Sequence, residues 1–103
     1  MGRLDVSIDR GQLAECLSLS LQHVAVTLDA VVDPETFVAT LEMNGSIWRE
    51  IECFIPLLGW DVPEEAMALS MAAASRARTG VDHQTVEAII AINRRVVRRL
   101  AEA

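Results

Sequence analysis

Apolar side chains recur every three or four residues along most of the chain, a spacing typical of α-helices. The first such segment runs from about Gly11 to Val32. Its apolar positions are Leu13, Leu17, Leu21, Val24, Leu28 and Val31. Asp9 precedes the segment and suits the N-cap, where its carboxylate would accept a hydrogen bond from an amide N–H of the first turn. The pattern therefore predicts a helix close to the start of the chain.

The second predicted helix begins at Asp33-Pro34-Glu35. An aspartate suits the N-cap, a proline suits the first helical position, and a glutamate suits the positive end of the helix dipole. The apolar positions that follow cover an arc of about 200°, whereas a one-sided helix needs only about 100°. This helix is therefore expected either to lie centrally in a bundle or to present a second face to a partner. Pro56 removes a backbone hydrogen bond, so a kink or break is expected near Phe54.

Two further apolar segments each follow an aspartate that can act as an N-cap. Asp61 and Glu64 have capping-box spacing at the start of the third predicted helix, which is rich in alanine and serine and is expected to stop near Gly80. Asp82 precedes the fourth helix, and no segment alternates as a half-buried strand would. The apolar face of the fourth helix holds Val86, Ile89, Ile90, Val96, Val97 and Leu100. Four helices with short connections predict an all-α fold, a small antiparallel bundle that forms a single domain over residues 1–103.

The charge of the chain narrows the classes of partner. Fifteen acidic residues stand against nine arginines and no lysine, which gives a formal charge of −6. This balance disfavours wholesale binding to nucleic acid or to an anionic membrane. No apolar run approaches the ~20 residues that span a bilayer, and the polar N-terminus lacks the apolar core of a signal peptide. A cytoplasmic protein is therefore expected.

Few residues suit metal binding or catalysis. Cys16 and Cys53 have no CxxC partner and sit among apolar neighbours, so reduced, buried thiols are expected. His23 and His83 are isolated, whereas a zinc site needs three or four ligands. The five glycines are scattered and form no phosphate-binding loop. The sequence therefore predicts no metal, no cofactor and no enzymatic activity.

Two asparagines lie on otherwise apolar seams. Asn44 lies three and four residues from Leu41 and Trp48, and Asn93 has the same spacing from apolar residues of the fourth helix. Both side chains are expected to point inward, where an unpaired amide costs about 1–3 kcal/mol. Two hypotheses are open. Each amide bonds to a neighbouring helix and sets its register, as in coiled coils, or each bonds to the main chain of a bound peptide.

Four arginines form a basic face near the end of the fourth predicted helix: Arg94, Arg95, Arg98 and Arg99. In the structural interpretation, they favour the helix dipole and form salt bridges with acids such as Glu42, Glu50, Glu52, Glu64 or Glu65. In the functional interpretation, they contact an acidic partner or RNA. RNA binding would favour aromatic side chains among the arginines for base stacking, and this helix has none.

A candidate groove for a partner helix lies near the junction of the second and third predicted helices. Its lining residues would be Phe54, Trp60, Met67 and Met71. Methionine is adaptable and common at promiscuous binding surfaces, and a partner could lay an apolar helix face there. Packing into the core is the alternative interpretation of the same side chains.

Three motifs occur in an order that characterises one family. They are Asn44-Gly45-Ser46-Ile47-Trp48, then Val62-Pro63 with Ala66 and Leu69-Ser70, then Ile89-Ile90-Ala91-Ile92-Asn93-Arg94 with Leu100. They resemble, in turn, the Asn-x-x-Leu-Trp element, the Leu-Pro step with its following Leu-Ser, and the closing Leu-Ile-x-Ile-Asn-Arg with a terminal Leu of the FlaF family, flagellar biosynthesis regulators of alphaproteobacteria. The likeness covers about residues 37–101. The chain departs from the family in its apolar segment 54–60, where a polar, acidic stretch is typical.

The resemblance implies an all-α, cytoplasmic, non-enzymatic factor that binds flagellin and promotes its synthesis or secretion. It also makes both seam asparagines family features. Two other hypotheses come from different classes. One is a post-transcriptional regulator that contacts RNA through the four arginines of the basic face. The other is a dimerisation module, in which the wide face of the second helix closes against a second copy of the chain.

Overall fold

The computed structural model of the protein describes residues 10–30, 33–58 and 64–102. These residues form four α-helices: α1 (Arg10–Ala30), α2 (Pro34–Leu58), α3 (Glu64–Ser75) and α4 (His83–Glu102). No strand occurs in these three ranges, and the helices pack against one another. The predicted all-α bundle of four helices is therefore confirmed. The expected caps Asp9 and Asp61 lie outside the described residues, as do Val31 and Val32 at the expected end of the first helix.

Each helix packs against two neighbours. α1 lies against α4 and α2, while α3 lies against α2 and, through the smallest contact of the four, against α4. Within the described parts of the chain, α2 and α4 make no backbone contact and lie on a diagonal of the bundle. Gly45 approaches Ala74 while Glu42 pairs with Arg78, so α2 and α3 run antiparallel.

The core draws its bulk from α1, α2 and α4. The largest fully buried side chains include Trp48, Leu21, Leu41, Ile51 and Ile89. α3 contributes only small buried residues, namely Ala66, Ser70 and Ala73. α2 contacts α1 and α3 and reaches α4 through side chains. The two expected explanations of its wide apolar arc, a central position and a face for a partner, both stay open, because every helix has two neighbours and Met43 of α2 is 45% exposed.

Two of the predicted N-caps are present. The backbone N–H of Thr36 donates to Asp33 Oδ2 over 2.9 Å, and that of Thr85 donates to Asp82 Oδ1 over 2.8 Å. The N–H of Thr36 holds the pKa of Asp33 below its usual value of 3.8. The hydroxyl and the N–H of Thr85 lower the pKa of Asp82 in the same way. Both carboxylates are therefore stabilised in their charged form by the helix they begin.

Two helix ends differ from expectation. α2 continues through Pro56 to Leu58, so the helix is not broken near Phe54, while the alternative of a kink stays a prediction. Pro56 stands in the last turn, where it removes a single hydrogen bond and little helix follows. α3 ends at Ser75, a turn occupies residues 76–79, and Gly80 follows with φ +128°. This backbone conformation favours glycine, which explains Gly80 as a stop signal.

Gly45 allows α2 and α3 to approach closely. A Cβ atom at this position would overlap the Cβ of Ala74 and would lie 3.8 Å from the carbonyl oxygen of Ser70. Only a residue without a side chain fits between the two helices at this level. The absence of a side chain at residue 45 therefore sets the distance between α2 and α3.

We expect Gly45→Ala to destabilise the protein by about 1–3 kcal/mol, because overlap with Ala74 outweighs the better helix propensity of alanine. Urea unfolding followed by circular dichroism measures the effect. Ser46→Ala, at the exposed next position, serves as the control and should change stability little. Adding Ala74→Gly to Gly45→Ala should restore stability, and a double variant less stable than Gly45→Ala alone would contradict this packing.

Low pH should lower the free energy of unfolding, partly because it protonates the two N-cap aspartates, Asp33 and Asp82. Because both aspartates have a lowered pKa in the folded protein, their stabilising contribution is present above pH 3.8 and is lost as the pH falls through the folded values. Urea unfolding between about pH 6 and pH 2 should therefore show a smaller acid-dependent loss for Asp33→Asn/Asp82→Asn, since asparagine caps without titrating. Equal acid dependence in the variant and the wild type would contradict this assignment.

Candidate functional site

A hydrogen-bonded cluster of three side chains joins α2 to α4 inside the core. Asn93 Nδ2 donates to Asn44 Oδ1 over 2.8 Å, and Trp48 Nε1 donates to Asn93 Oδ1 over 3.0 Å. All three side chains are fully buried, as the seam positions of the asparagines predict. We call these three residues the core network. It links two helices that lie on a diagonal of the bundle.

The indole of Trp48 determines how the amides are oriented. An indole N–H only donates, so Asn93 must direct its oxygen to Trp48 and its NH₂ group to Asn44. Asn44 and Trp48 are four residues apart and so lie on the same face of α2. The interhelical hydrogen bonds agree with the structural hypothesis for the asparagines, while contact with a bound peptide stays a prediction.

Two buried polar atoms have no hydrogen-bond partner among the residues that the structure describes. They are Asn44 Nδ2 and the hydroxyl oxygen of Ser70. Ser70 belongs to α3, and its carbonyl oxygen lies close to Gly45, the residue that follows Asn44. The described core therefore contains two hydrogen-bonding groups that the fold does not pair, and each such group lowers stability.

The four arginines of the basic face are exposed, and they differ in their partners. Arg94 lies 3.5 Å from Asp29 of α1. Among the side chains that the structure describes, which do not include that of Glu102, no acidic group lies within 4 Å of the other three guanidinium groups, those of Arg95, Arg98 and Arg99. Glu42, one of the expected partners, pairs with Arg78 instead. The expected salt bridges to acids of the second and third helices are therefore wrong for the described side chains.

The candidate groove is only partly described. Phe54 and Met67 are half-buried and pack against the core, and Met71 is half-buried. Trp60 lies outside the described residues. At 100° per residue, Phe54 lies on the opposite side of α2 from Gly45, which faces α3. A single groove formed by these side chains stays a prediction.

The cysteines correct an expectation from the sequence. Cys16 and Cys53 are free thiols, and both are exposed rather than buried. Their apolar sequence neighbours were misleading, because consecutive residues of a helix point about 100° apart. His23 is exposed, and His83 Nε2 lies 3.0 Å from Glu87. Within the described ranges, no three His, Cys, Asp or Glu side chains gather as metal ligands.

The sequence did not indicate one surface feature of the described chain. An open groove of about 330 Å³ lies between the first half of α2 and the turn after α3. Its lining residues are Pro34, Glu35, Val38, Ala39, Glu42 and Arg78. The Arg78–Glu42 pair, 3.5 Å apart, forms part of its wall. Helical spacing in the sequence could not reveal this groove, because Arg78 lies in the turn after α3 and not on a helix.

No protein-family model, curated protein or solved structure matches the chain. The resemblance to FlaF therefore depends on the motif residues of the sequence. None of the helices in the described ranges combines the length and the apolar character needed to cross a membrane.

Removing the side-chain amide of Asn93 should destabilise the protein. Asn93→Leu leaves Trp48 Nε1 and Asn44 Oδ1 buried without a partner, so we expect a loss of about 3 kcal/mol in the free energy of unfolding. Urea unfolding followed by tryptophan fluorescence measures it. Gln84→Leu, which replaces an exposed amide of the same helix, should change stability by less than about 0.5 kcal/mol.

The double variant Asn44→Leu/Asn93→Leu tests whether the two amides act together. It removes both groups, so its loss should be smaller than the sum of the two single losses by at least about 1 kcal/mol. Additive losses would mean that the two amides contribute independently, which is incompatible with the core network.

Proposed function

We propose that this chain is a non-enzymatic flagellar biogenesis factor resembling FlaF, which acts in the cytoplasm, binds flagellin and promotes its synthesis or secretion. The core network is the observation that supports this proposal. It unites residues from two of the three motifs on which the resemblance rests. Asn44 and Trp48 come from the first motif, and Asn93 comes from the last.

Residues of the first and the last motif contact each other in the core. Asn93 is 45 residues from Trp48 and 49 from Asn44, yet one buried cluster of hydrogen bonds joins all three. Gly45, inside the first motif, also meets Ser70, which belongs to the second. The residues of the resemblance therefore form one structural unit, which supports a shared fold and, through it, the proposed function.

An RNA-contacting regulator is the second candidate, and the exposure of the arginines favours it. Arg95, Arg98 and Arg99 are exposed and have no acidic partner among the described side chains, so they are accessible to phosphate groups. The absence of Phe, Tyr and Trp from α4 removes the stacking platform that single-stranded RNA favours. A dimer closed by α2 has less support, because that helix already contacts α1 and α3.

We assign the flagellin-binding surface to the side of α3 that carries Met67 and Met71. Isothermal titration of the purified protein with monomeric flagellin from the same bacterium should give a Kd of tens of micromolar or tighter. Met71→Ser should weaken binding about tenfold, because Met71 is only half-buried and lies on the assigned surface. Met43→Ser, at a methionine of α2 that is 45% exposed, is the matched control and should leave binding unchanged.

Failure of the proposed function and failure of the surface assignment give different results. A folded wild-type protein that does not bind flagellin at tens of micromolar would overturn the proposed function. Binding that Met71→Ser and Met43→Ser weaken equally would leave flagellin as the partner but would contradict the assignment of the surface to α3.

A further inference from the structure

The outward side of α1 carries apolar side chains that the bundle does not cover. Leu19 and Val26 are 60% and 62% exposed, more than any other large apolar side chain that the structure describes. They are seven residues apart, so they lie within about 20° of each other on the helix. Cys16, His23 and Ala30 are also exposed and complete a series with steps of three and four. We call these five residues the outer stripe.

The spacing and the charge of the outer stripe are those of a helix–helix contact. Steps of three and four are the spacing at which one helix meets another along a seam. α1 has three formally charged residues among 21, namely Arg10, Glu15 and Asp29, whereas α4 has six among 20. None of the three belongs to the outer stripe. The centre of a protein interface is depleted in charge in the same way.

The outer stripe can pair with its own copy. Leu19 lies as far before the midpoint between Gln22 and His23 as Val26 lies after it. A two-fold axis through this midpoint places two copies of α1 antiparallel, and Leu19 of each copy then lies opposite Val26 of the other. A two-fold interface makes every such contact twice. Both of the most exposed apolar side chains are therefore covered in both copies.

The same axis also arranges the charges at the edge of this contact. Glu15 and Asp29 lie on one flank of α1, about 40° apart. In the antiparallel pair, Glu15 comes level with Asp29 of the second copy, which would be repulsive for two carboxylates alone. However, Arg94 Nη2 lies 3.5 Å from Asp29 Oδ2, and its side chain is 52% exposed. The guanidinium group of Arg94 can therefore contact both acids, since it presents several N–H donors.

This charge pattern selects a second copy in antiparallel orientation. Glu15 has no basic partner among the described side chains, which do not include that of Arg10. The antiparallel pair supplies that partner as Arg94 of the second copy. A parallel pair would keep Glu15 about 20 Å along the helix from Asp29 and Arg94 of the second copy, and so would leave Glu15 unpaired.

We propose that the outer stripe is the interface of an antiparallel homodimer, in which Leu19 packs on Val26 of the second copy and Arg94 is shared by Asp29 and Glu15 of the second copy. A contact of one helix with one helix buries less than the about 800 Å² per partner that is common in stable complexes. We therefore expect a weak dimer, with a Kd of about 100 μM. The proposal does not depend on the resemblance to FlaF.

Sedimentation equilibrium of the full-length protein between about 10 μM and 1 mM tests the dimer. Leu19→Gln/Val26→Gln should raise its Kd at least about tenfold, because the apolar side chains no longer cover each other. Met43→Gln, at the 45% exposed methionine of α2, is the matched control and should change the Kd less than about twofold. Circular dichroism should show that all variants remain helical, since the changed side chains are exposed.

Cross-linking with a short bismaleimide tests the orientation. His23 lies beside the two-fold axis, so His23→Cys in a Cys16→Ser/Cys53→Ser background should give a covalent dimer. The two Cys16 thiols are separated by about 20 Å along the antiparallel pair. Cys53→Ser, which keeps only Cys16, should therefore cross-link poorly. In a parallel pair, by contrast, the two Cys16 thiols would face each other.

The shared arginine has its own test by sedimentation. Arg94→Gln should weaken the dimer about threefold, because Glu15 then faces Asp29 of the second copy without a cation between them. Arg94→Gln/Glu15→Gln should recover most of the lost affinity. Arg95→Gln, at the exposed neighbouring arginine, should change the Kd less than about twofold.

Four results would overturn the proposal. They are a protein that stays monomeric up to about 1 mM, a dimer that Leu19→Gln/Val26→Gln leaves intact, cross-linking of Cys16 as efficient as that of His23→Cys, and equal weakening by Arg94→Gln and Arg95→Gln. A monomeric protein whose affinity for flagellin falls in Leu19→Gln/Val26→Gln would assign the outer stripe to flagellin and would also contradict the dimer.

Discussion

The hydrogen bonds among Asn44, Trp48 and Asn93 constrain the rest of the bundle. A core of aliphatic side chains tolerates small rotations and shifts of its helices, because apolar contacts have no fixed direction. Hydrogen bonds are directional, and a buried amide that loses its partner is destabilising. The core network therefore specifies one rotation for α4 and one height for it relative to α2. Only side chains can do this here, since the two helices make no backbone contact.

The interfaces between the helices around the core network differ in size. α1 with α4 and α2 with α3 form the two larger interfaces, and α3 with α4 forms the smallest. The α2–α3 pair is close because Gly45 lets Ala74 approach. The buried residues of α3 are all small, and its larger side chains Met67 and Leu69 are only half-buried against the core. The core network joins the two pairs from the inside, on the diagonal between α2 and α4.

Local signals in the sequence predicted most of the fold. Apolar spacing located the four helices, and Asp33 and Asp82 were recognised as caps because a cap bonds within its own turn. The inward direction of Asn44 and Asn93 also followed from spacing. Their pairing did not, because which residue faces which across a bundle depends on how the helices are rotated and shifted against each other.

Other features of the structure could not be predicted from the sequence, or were predicted wrongly, and each has a physical reason. The Arg94–Asp29 pair joins residues 65 apart, so no local rule could choose Asp29 over the acids of other helices. Cys16 and Cys53 were expected inside because of their sequence neighbours, although their direction on the helix decides exposure. Pro56 does not break α2, since a proline in the last turn of a helix removes only one backbone hydrogen bond and little helix follows it.

The tripeptide Ile92-Asn93-Arg94 shows how the core and the surface are connected. Steps of 100° send its three side chains in three directions. Asn93 points to Trp48 and Asn44 in the core, Arg94 to Asp29 of α1, and Ile92 to the flank away from α1. The buried amide thus sets the rotation that decides which way the exposed arginines face. In this bundle, a polar residue with no exposed surface determines the direction of the charged surface one turn away.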